Sequence, residues 1–286
     1  MQLAFSWKSP IIKPVEQALA RLRIRLETWN KLVVTAVLLL TLGWLLNTPA
    51  GLLGKADAVG YAVCHRIDLR SFNLGERQMP LCARCTGMYL GAVLGLVFQS
   101  LRRPRRAGMP SPGILVFLGV MVLAFAVDGI NSFLSLIPVA PHIYEPQNWL
   151  RLITGTGMGL VIAVILYPGF NQAVWNDYDP HPAMDRLPIF LLLVALGLLV
   201  DLAVWSGDLL LVYPLALVSA GGVLLILTMV YSMVIILLLR TENTYRSIRQ
   251  MMLPLVGGFG LALLQIALLD FGRYWFTGTW DGFHLG

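Results

Sequence analysis

The sequence predicts an all-α, polytopic bundle of about seven transmembrane helices, with a Cys/His metal loop between spans 1 and 2. Two counts and one pattern carry the fold class. Of the 286 residues, 57% are hydrophobic and 13% charged, where an average soluble domain is about 45–50% apolar and about 25% charged. The apolar residues also fall in unbroken runs close to the roughly 20 residues that a hydrocarbon core about 30 Å thick requires. Barrel strands would instead alternate over segments of about 10 residues. The same counts exclude intrinsic disorder, collagen and a disulfide-dense secreted scaffold.

Seven runs qualify as spans: 32–53, 86–102, 113–137, 149–168, 187–206, 212–239 and 251–272. The sixth is long for one span, which predicts that it is tilted or extends into water, with a break near Pro214 or Gly221–Gly222 as the alternative. Ahead of the first run, residues 14–30 set Val15, Ala18, Leu19, Leu22, Ile24 and Leu26 among Arg23 and Arg25. That mixture suits an amphipathic helix lying on the membrane surface. Ala56-Asp57-Ala58 has the small-x-small form of a signal-peptide cleavage site. The preceding run is too long and ends too early for that, so a retained first span is expected. The chain then divides into a cytoplasmic basic segment (1–31), a four-span core (32–168) with its Cys/His loop at 54–85, a loop (169–186) and a three-span C-terminal extension (187–286).

Positive charge orients the bundle. With the N-terminus cytoplasmic, 14 of the 21 Lys and Arg lie inside, from Lys8 through Arg102–Arg106 to Arg249. Lys55, Arg66, Arg70, Arg77, Arg84, Arg151 and Arg273 lie outside. This arrangement also puts the acidic loop with Asp177, Asp179 and Asp185 on the cytoplasmic side. The net charge of +6 is accounted for by basic loops facing anionic lipid, without nucleic acid.

All three cysteines occur within 22 residues, as Cys64-His65 and Cys82-Ala83-Arg84-Cys85. C-x-x-C brings two thiolates to one tetrahedral ion, and a further Cys or His pair completes a zinc site. The expected ligands are Cys64, His65, Cys82 and Cys85. Adjacent residues reach one ion only through a tight turn, so His142, His284 or water is the alternative fourth ligand. An open position would make the zinc catalytic. A redox dithiol also fits, because Cys85 opens a helix beside Arg84, where a thiolate is favoured. Thr86 follows Cys85, which argues against a haem attachment.

A second group is polar rather than sulfur-based. Asp128, Asn131, Ser132 and Ser135 repeat at i, i+3, i+4 and i+7 and so form one stripe on the third span. Asn148 and Arg151 open the fourth span ahead of Thr154-Gly155-Thr156-Gly157. Asp201 lies near the end of the fifth span, and Asp270 and Arg273 near the end of the seventh. The topology gathers these at the depth of the cysteine loop, where buried ionisable groups mark function more often than chance. Asp128–Arg151 and Asp270–Arg273 are the natural ion pairs if the role is structural. Arg66, Arg70, Arg84 and Arg151 are candidate anion ligands, since guanidinium forks bind phosphate and carboxylate. Pairing of the loop arginines with Asp68 and Glu76 within the loop, or with the helix acids, is the alternative. Gly87, Gly91 and Gly95, with Gly155 and Gly159, predict close helix packing within the chain.

The stretch from Cys64-His65-Arg66 through Arg70-Ser71-Phe72, Arg77-Gln78 and Pro80-Leu81-Cys82-Ala83-Arg84-Cys85-Thr86-Gly87 resembles a family of predicted bacterial and archaeal integral membrane proteins of unknown function. The resemblance extends through Asp128-Gly129 and Arg151…Thr154-Gly155 to about residue 168. It implies a membrane protein with a shared cysteine motif, and the C-terminal spans as an addition to the family's core. No Walker loop, H-E-x-x-H, G-x-S-x-G or EF-hand loop is present, and no internal repeat points to an inverted-repeat transporter.

The residues therefore predict a multi-pass cell-membrane protein with an outward-facing zinc site. The first expectation is a metalloenzyme acting on an anionic lipid or polyprenyl phosphate, with Asp128 as general base or further ligand and Arg84 and Arg151 on the anion. The alternatives are a metal-stapled transporter or binding protein and a membrane thiol-disulfide oxidoreductase.

Overall fold

The computed structural model describes residues 12–137 and 141–281, with side chains from Glu27 onward. Eight helices run in chain order among these residues: α1 Ile12–Asn47, α2 Gly51–Val63, α3 Ala83–Arg102, α4 Pro112–Leu134, α5 Asn148–Val174, α6 Leu187–Trp205, α7 Leu209–Leu238 and α8 Ile248–Thr277. Six are long and apolar enough to cross a membrane: Glu27–Asn47 of α1, then α4, α5, α6, α7 and α8. The exposed surface bears this out, since Leu38, Leu46, Val116, Leu199, Leu238 and Phe276 all point outward. In water such a surface would drive aggregation; against acyl chains it costs nothing.

The α3 helix is more polar, with Arg84 and Arg102 at its two ends and Gln99 near the second. It nevertheless occupies the middle of the bundle, packed along α5. The two helices run parallel: Gly87 lies against Leu152 and Thr156, and Gly95 against Ala163. A Cβ at Gly91 would fall 2.5 Å from the Thr156 carbonyl oxygen, and one at Gly159 2.1 Å from that of Met88. The small-residue repeats of both helices thus serve one intramolecular seam, where backbone meets backbone. Gln99 secures it by donating to Ala163 O at 3.0 Å. Of the six long helices α5 is the most enclosed, with 44% of its apolar window buried against 6% for α1.

Three expectations from the sequence are corrected. The first apolar run is not one span. The α1 helix stops at Asn47, and α2 starts anew at Gly51. Pro49 disfavours helical backbone at Thr48, and Lys55 of α2 closes the end by donating to Leu45 O, to Thr48 O at 2.9 Å and to Thr48 Oγ1 at 2.8 Å. The long sixth run has no break: α7 continues through Pro214, Gly221 and Gly222. Pro214 falls early in that helix, and Gly222 is a contact point, its missing Cβ leaving room for Val93 and Tyr89 of α3. Residues 14–30 form no separate surface element, because the α1 backbone runs from Ile12 without interruption. The side chains of Arg21, Arg23 and Arg25 lie outside the described residues.

The helix ends sort into two levels. At one end β3 (Arg106–Gly108) pairs in parallel with β4 (Asp179–Pro182). There Arg105 meets Asp177 at 2.6 Å, and Arg106 meets Asp179 at 3.1 Å. The acidic loop therefore sits beside the basic one. At the opposite end lie α2, the cysteine loop, the C-termini of α4, α6 and α8 and the N-terminus of α5. A short antiparallel hairpin, β1 (Asn73–Leu74) with β2 (Arg77–Gln78), turns at Gly75 with φ +63° and shapes the cysteine loop.

Candidate functional site

The cysteine loop is built by a tight turn and a helix cap. Cys64 ends α2, and Arg66 adopts the left-handed backbone at φ 50°. Cys82 is the N-cap of α3, and Cys85 follows three residues later on the same face. Gly60 lets the two segments meet, since a Cβ there would fall 1.9 Å from the Pro80 carbonyl oxygen. The sulfurs of Cys64, Cys82 and Cys85 consequently lie within 4.8 Å of one another. All three are free thiols. The Cys82 backbone N–H donates to Cys64 Sγ at 3.4 Å. Hydrogen bonds from Cys82 and Cys85 pull the Cys64 thiol well below its ordinary pKa, against the opposing effect of burial.

This donor set suits a soft metal. Zinc binds thiolate sulfur at about 2.3 Å, which sets tetrahedral sulfur–sulfur edges at about 3.8 Å, within the span the three side chains already occupy. The surroundings are apolar: Trp44, Ala58, Val59, Leu81, Ala220, Val223, Leu263 and Ile266 form one core with Cys64 and Cys82.

His65 stands outside the group of three sulfurs. Its Nδ1 accepts from the Ile67 backbone N–H at 3.1 Å. Burial holds its pKa below the usual imidazole value, and the charges of Arg70, Arg84 and Arg151 lower it further. His142 bonds Glu145 at 2.9 Å, and His284 lies outside the described residues.

A second cluster occupies the other side of the α3 N-terminus. Asp128, Asn131 and Ser132 are each 1% exposed and face inward from α4. Three guanidiniums converge on Ser132. Arg70 donates to its carbonyl oxygen at 2.6 Å, Arg84 to Oγ at 2.9 Å and Arg151 to Oγ at 3.4 Å. Arg84 forms the ion pair with Asp128, through both Nε and Nη2. The partner anticipated for Asp128 was Arg151; that side chain instead donates to Asn148 Oδ1 at 2.7 Å. Asp128 also accepts from Tyr144 OH at 2.9 Å and Thr154 Oγ1 at 3.3 Å. Among the described residues Arg70 and Arg151 donate only to neutral oxygens, so the cluster holds three cations and one carboxylate. Asn131 ties the 141–147 loop over it, accepting from Ile143 N at 2.6 Å and donating to Tyr144 O at 2.8 Å. Asn148 holds the cysteine loop, donating to Leu69 O and Ser71 O at 3.2 Å each.

The remaining candidates lie elsewhere. Arg66 is not brought to the Ser132 cluster, and bonds Asp57 at 3.0 Å. Asp57 also pairs with Arg77, so Arg66 and Arg77 use an acid of α2 rather than Asp68 or Glu76. Asp201 accepts from Thr156 Oγ1 at 2.6 Å, and Asp270 from Trp44 Nε1 at 3.0 Å. Arg273 stacks on Tyr61 and donates to Tyr61 O and Cys64 O, each at 2.7 Å. It thereby anchors the start of the cysteine loop to α8.

Asp57 and Tyr144 were missed at the sequence level. Asp57 sits in Ala56-Asp57-Ala58, which reads as a cleavage motif but is a buried helical segment. Only the unpaired excess of arginine in the loop could have pointed to it. Asp57→Asn should lower thermal stability by about 3–5 kcal/mol, because it strands the buried Arg66. Arg77→Gln, at the more exposed partner, should cost less than about 1 kcal/mol. Thermal unfolding in detergent compares the two.

Residues 64–165 match the model of a family described as a predicted membrane protein, DUF2085. The match is to membrane proteins. It starts at Cys64, covers both clusters as far as Arg151 and Thr154, and ends within α5, before α6. An uncharacterized protein of Methanocaldococcus jannaschii, MJ1492, is 27% identical over 122 residues, which is 42% of this chain and 72% of the relative. An uncharacterized protein of Methanothermobacter thermautotrophicus is 29% identical over 103 residues, 36% of this chain and 83% of the relative. No solved structure matches. With its several apolar helices, the chain is a multi-pass membrane protein.

Proposed function

We propose that this protein binds a phosphate-type anionic headgroup, from an anionic lipid or a polyprenyl phosphate, at the outer face of the cell membrane. The observation that supports this reading is the convergence of Arg70, Arg84 and Arg151 on Ser132 with Asp128 as their one carboxylate. Two guanidiniums with neutral partners keep donors and charge for an oxyanion. Asp128 accepts from three side chains, so in this reading it positions Arg84 rather than taking a proton. A zinc ion on Cys64, Cys82 and Cys85, with His65 or water as fourth ligand, would fix the loop that carries Arg70. α3 serves as the seventh crossing: its 20 residues span about 30 Å of helix, and it runs beside α5. The N-terminus is then cytoplasmic, and residues 32–168 form the core with 187–286 as an extension.

A second reading is the metalloenzyme, in which an open zinc position acts on that headgroup. It is favoured by the place of His65, which feels both the thiol of Cys64 and the three arginines. The thiol oxidoreductase has less support, since Cys64 and Cys82 are closed in by apolar side chains and thiol exchange needs access.

Equilibrium binding of a prenyl monophosphate to the purified protein tests the proposal. Saturable binding is expected. Arg151→Gln and Arg70→Gln should each weaken it about tenfold or more, the worth of a charged hydrogen bond. Lack of saturable binding, or wild-type affinity in both variants, would remove the reading.

A further inference from the structure

Asp201 hydrogen-bonds neither cluster and, among the described residues, forms no ion pair. It is 4% exposed. One carboxylate oxygen accepts from Thr156, while Oδ2 is buried without a hydrogen-bond partner among the described residues. The other three buried acids at this end of the bundle differ, Asp57 being paired with Arg66 and Arg77. Asp128 is paired with Arg84, and Asp270, whose Oδ1 is likewise without a hydrogen-bond partner, accepts from Trp44 and feels the charge of Arg273. For Asp201 no cation plays that part.

Asp201 is among the residues lining a cleft of about 490 Å³ between α5 and α6. Its walls are Trp149, Leu152 and Ile153 on one side and Leu198, Leu202 and Trp205 on the other. Asp201 is the one charged residue of that lining. Asp201 also lines a smaller cavity of about 130 Å³ that reaches Thr154 and Met121. Trp149 and Trp205 are 47% and 62% exposed and belong to the helix ends. Asp201 stands four residues before the end of α6, about 6 Å deep at 1.5 Å per residue. That is within reach of a headgroup at the interface.

We infer that this cleft binds the ammonium group of an amphiphile entering from the bilayer. The ammonium supplies the counter-charge that this buried carboxylate otherwise lacks. Indole faces at the mouth attract a cation, and the leucine and isoleucine walls accept an aliphatic chain. The cleft lies on the α6 side of α5, so the inference stands independently of the anion site.

Binding of radiolabelled dodecylammonium to the full-length protein in nanodiscs tests it, with protein-free discs subtracted. One saturable site per chain is expected. Asp201→Asn keeps an acceptor for Thr156 and should weaken binding at least tenfold. Leu202→Trp fills the cleft at an exposed position and should weaken it similarly, which decides the matter if the first variant does not fold. Dodecanol should not compete. Competition by dodecanol, equal competition by the short propylammonium ion, or unchanged binding in both variants would overturn the proposal. The first result would mean an apolar slot and the second a site for free amines.

Discussion

Purified wild-type protein is expected to carry one zinc, or a similar soft metal, per chain, and Cys82→Ser to lose at least nine-tenths of it. The three sulfurs are already gathered within bonding range of a common centre, so the ion needs little rearrangement of the loop. Metal binding of this kind contributes directly to folding; in small zinc peptides the apparent figure is about 10–16 kcal/mol. Here the ion would tie α2 to the start of α3. Removal by chelator should therefore expose the 64–82 loop to protease while the apolar helices stay intact. The same preparation separates the competing readings. A structural ion leaves prenyl phosphate binding weakened in proportion to loop disorder. A catalytic one abolishes turnover of that ligand before binding is lost. A thiol oxidoreductase would instead show a disulfide under oxidation and a trapped mixed disulfide in Cys82→Ser or Cys85→Ser. Folded wild-type protein with no metal by elemental analysis would sink the metal proposal.

Replacing Gly159 or Gly91 by leucine should abolish folding, and even alanine should be costly. A Cβ at Gly159 meets the Met88 carbonyl oxygen at 2.1 Å, and one at Gly155 meets that of Arg84 at 2.2 Å. These obstacles are backbone atoms, which cannot swing aside. Overpacking a core typically costs about 1–3 kcal/mol; here the two central helices must separate along their length. Arg84 and Cys85 move with α3, and Ser132 is bridged to Arg151 of α5. The seam therefore holds both clusters in register. Gly119→Ala is the control, because nothing lies within 4 Å of the added methyl. The monodisperse fraction on size exclusion and the unfolding midpoint in detergent report the outcome. A Gly159→Leu protein as stable as wild type would mean that α3 and α5 do not touch there.

Residues near in sequence announced their structure well. The C-x-x-C pair needs only one helical turn to put two sulfurs on one face, so its clustering could be read directly. The stripe of Asp128, Asn131 and Ser132 likewise needs only helical periodicity, and all three are buried. The helix ends were less clear, since the stop at Asn47 depends on Pro49 together with a lysine from the next helix.

Partnership between distant residues was another matter. Asp128 faced two plausible arginines, and spacing along the chain favoured neither. Which one it meets depends on the rotation of α4 against α3 and α5, and the glycine seam sets how α3 and α5 lie. The same holds for Asp57 with Arg66 and Arg77, for the acidic loop with Arg105 and Arg106, and for Asp201, left without a cation. By itself the order of residues determined a membrane bundle, its apolar runs and a knot of thiols, because burial in lipid and helical pitch act locally. The folded arrangement alone decided which charges neutralise one another and which do not. Coulomb energy between side chains falls with a distance that only packing defines.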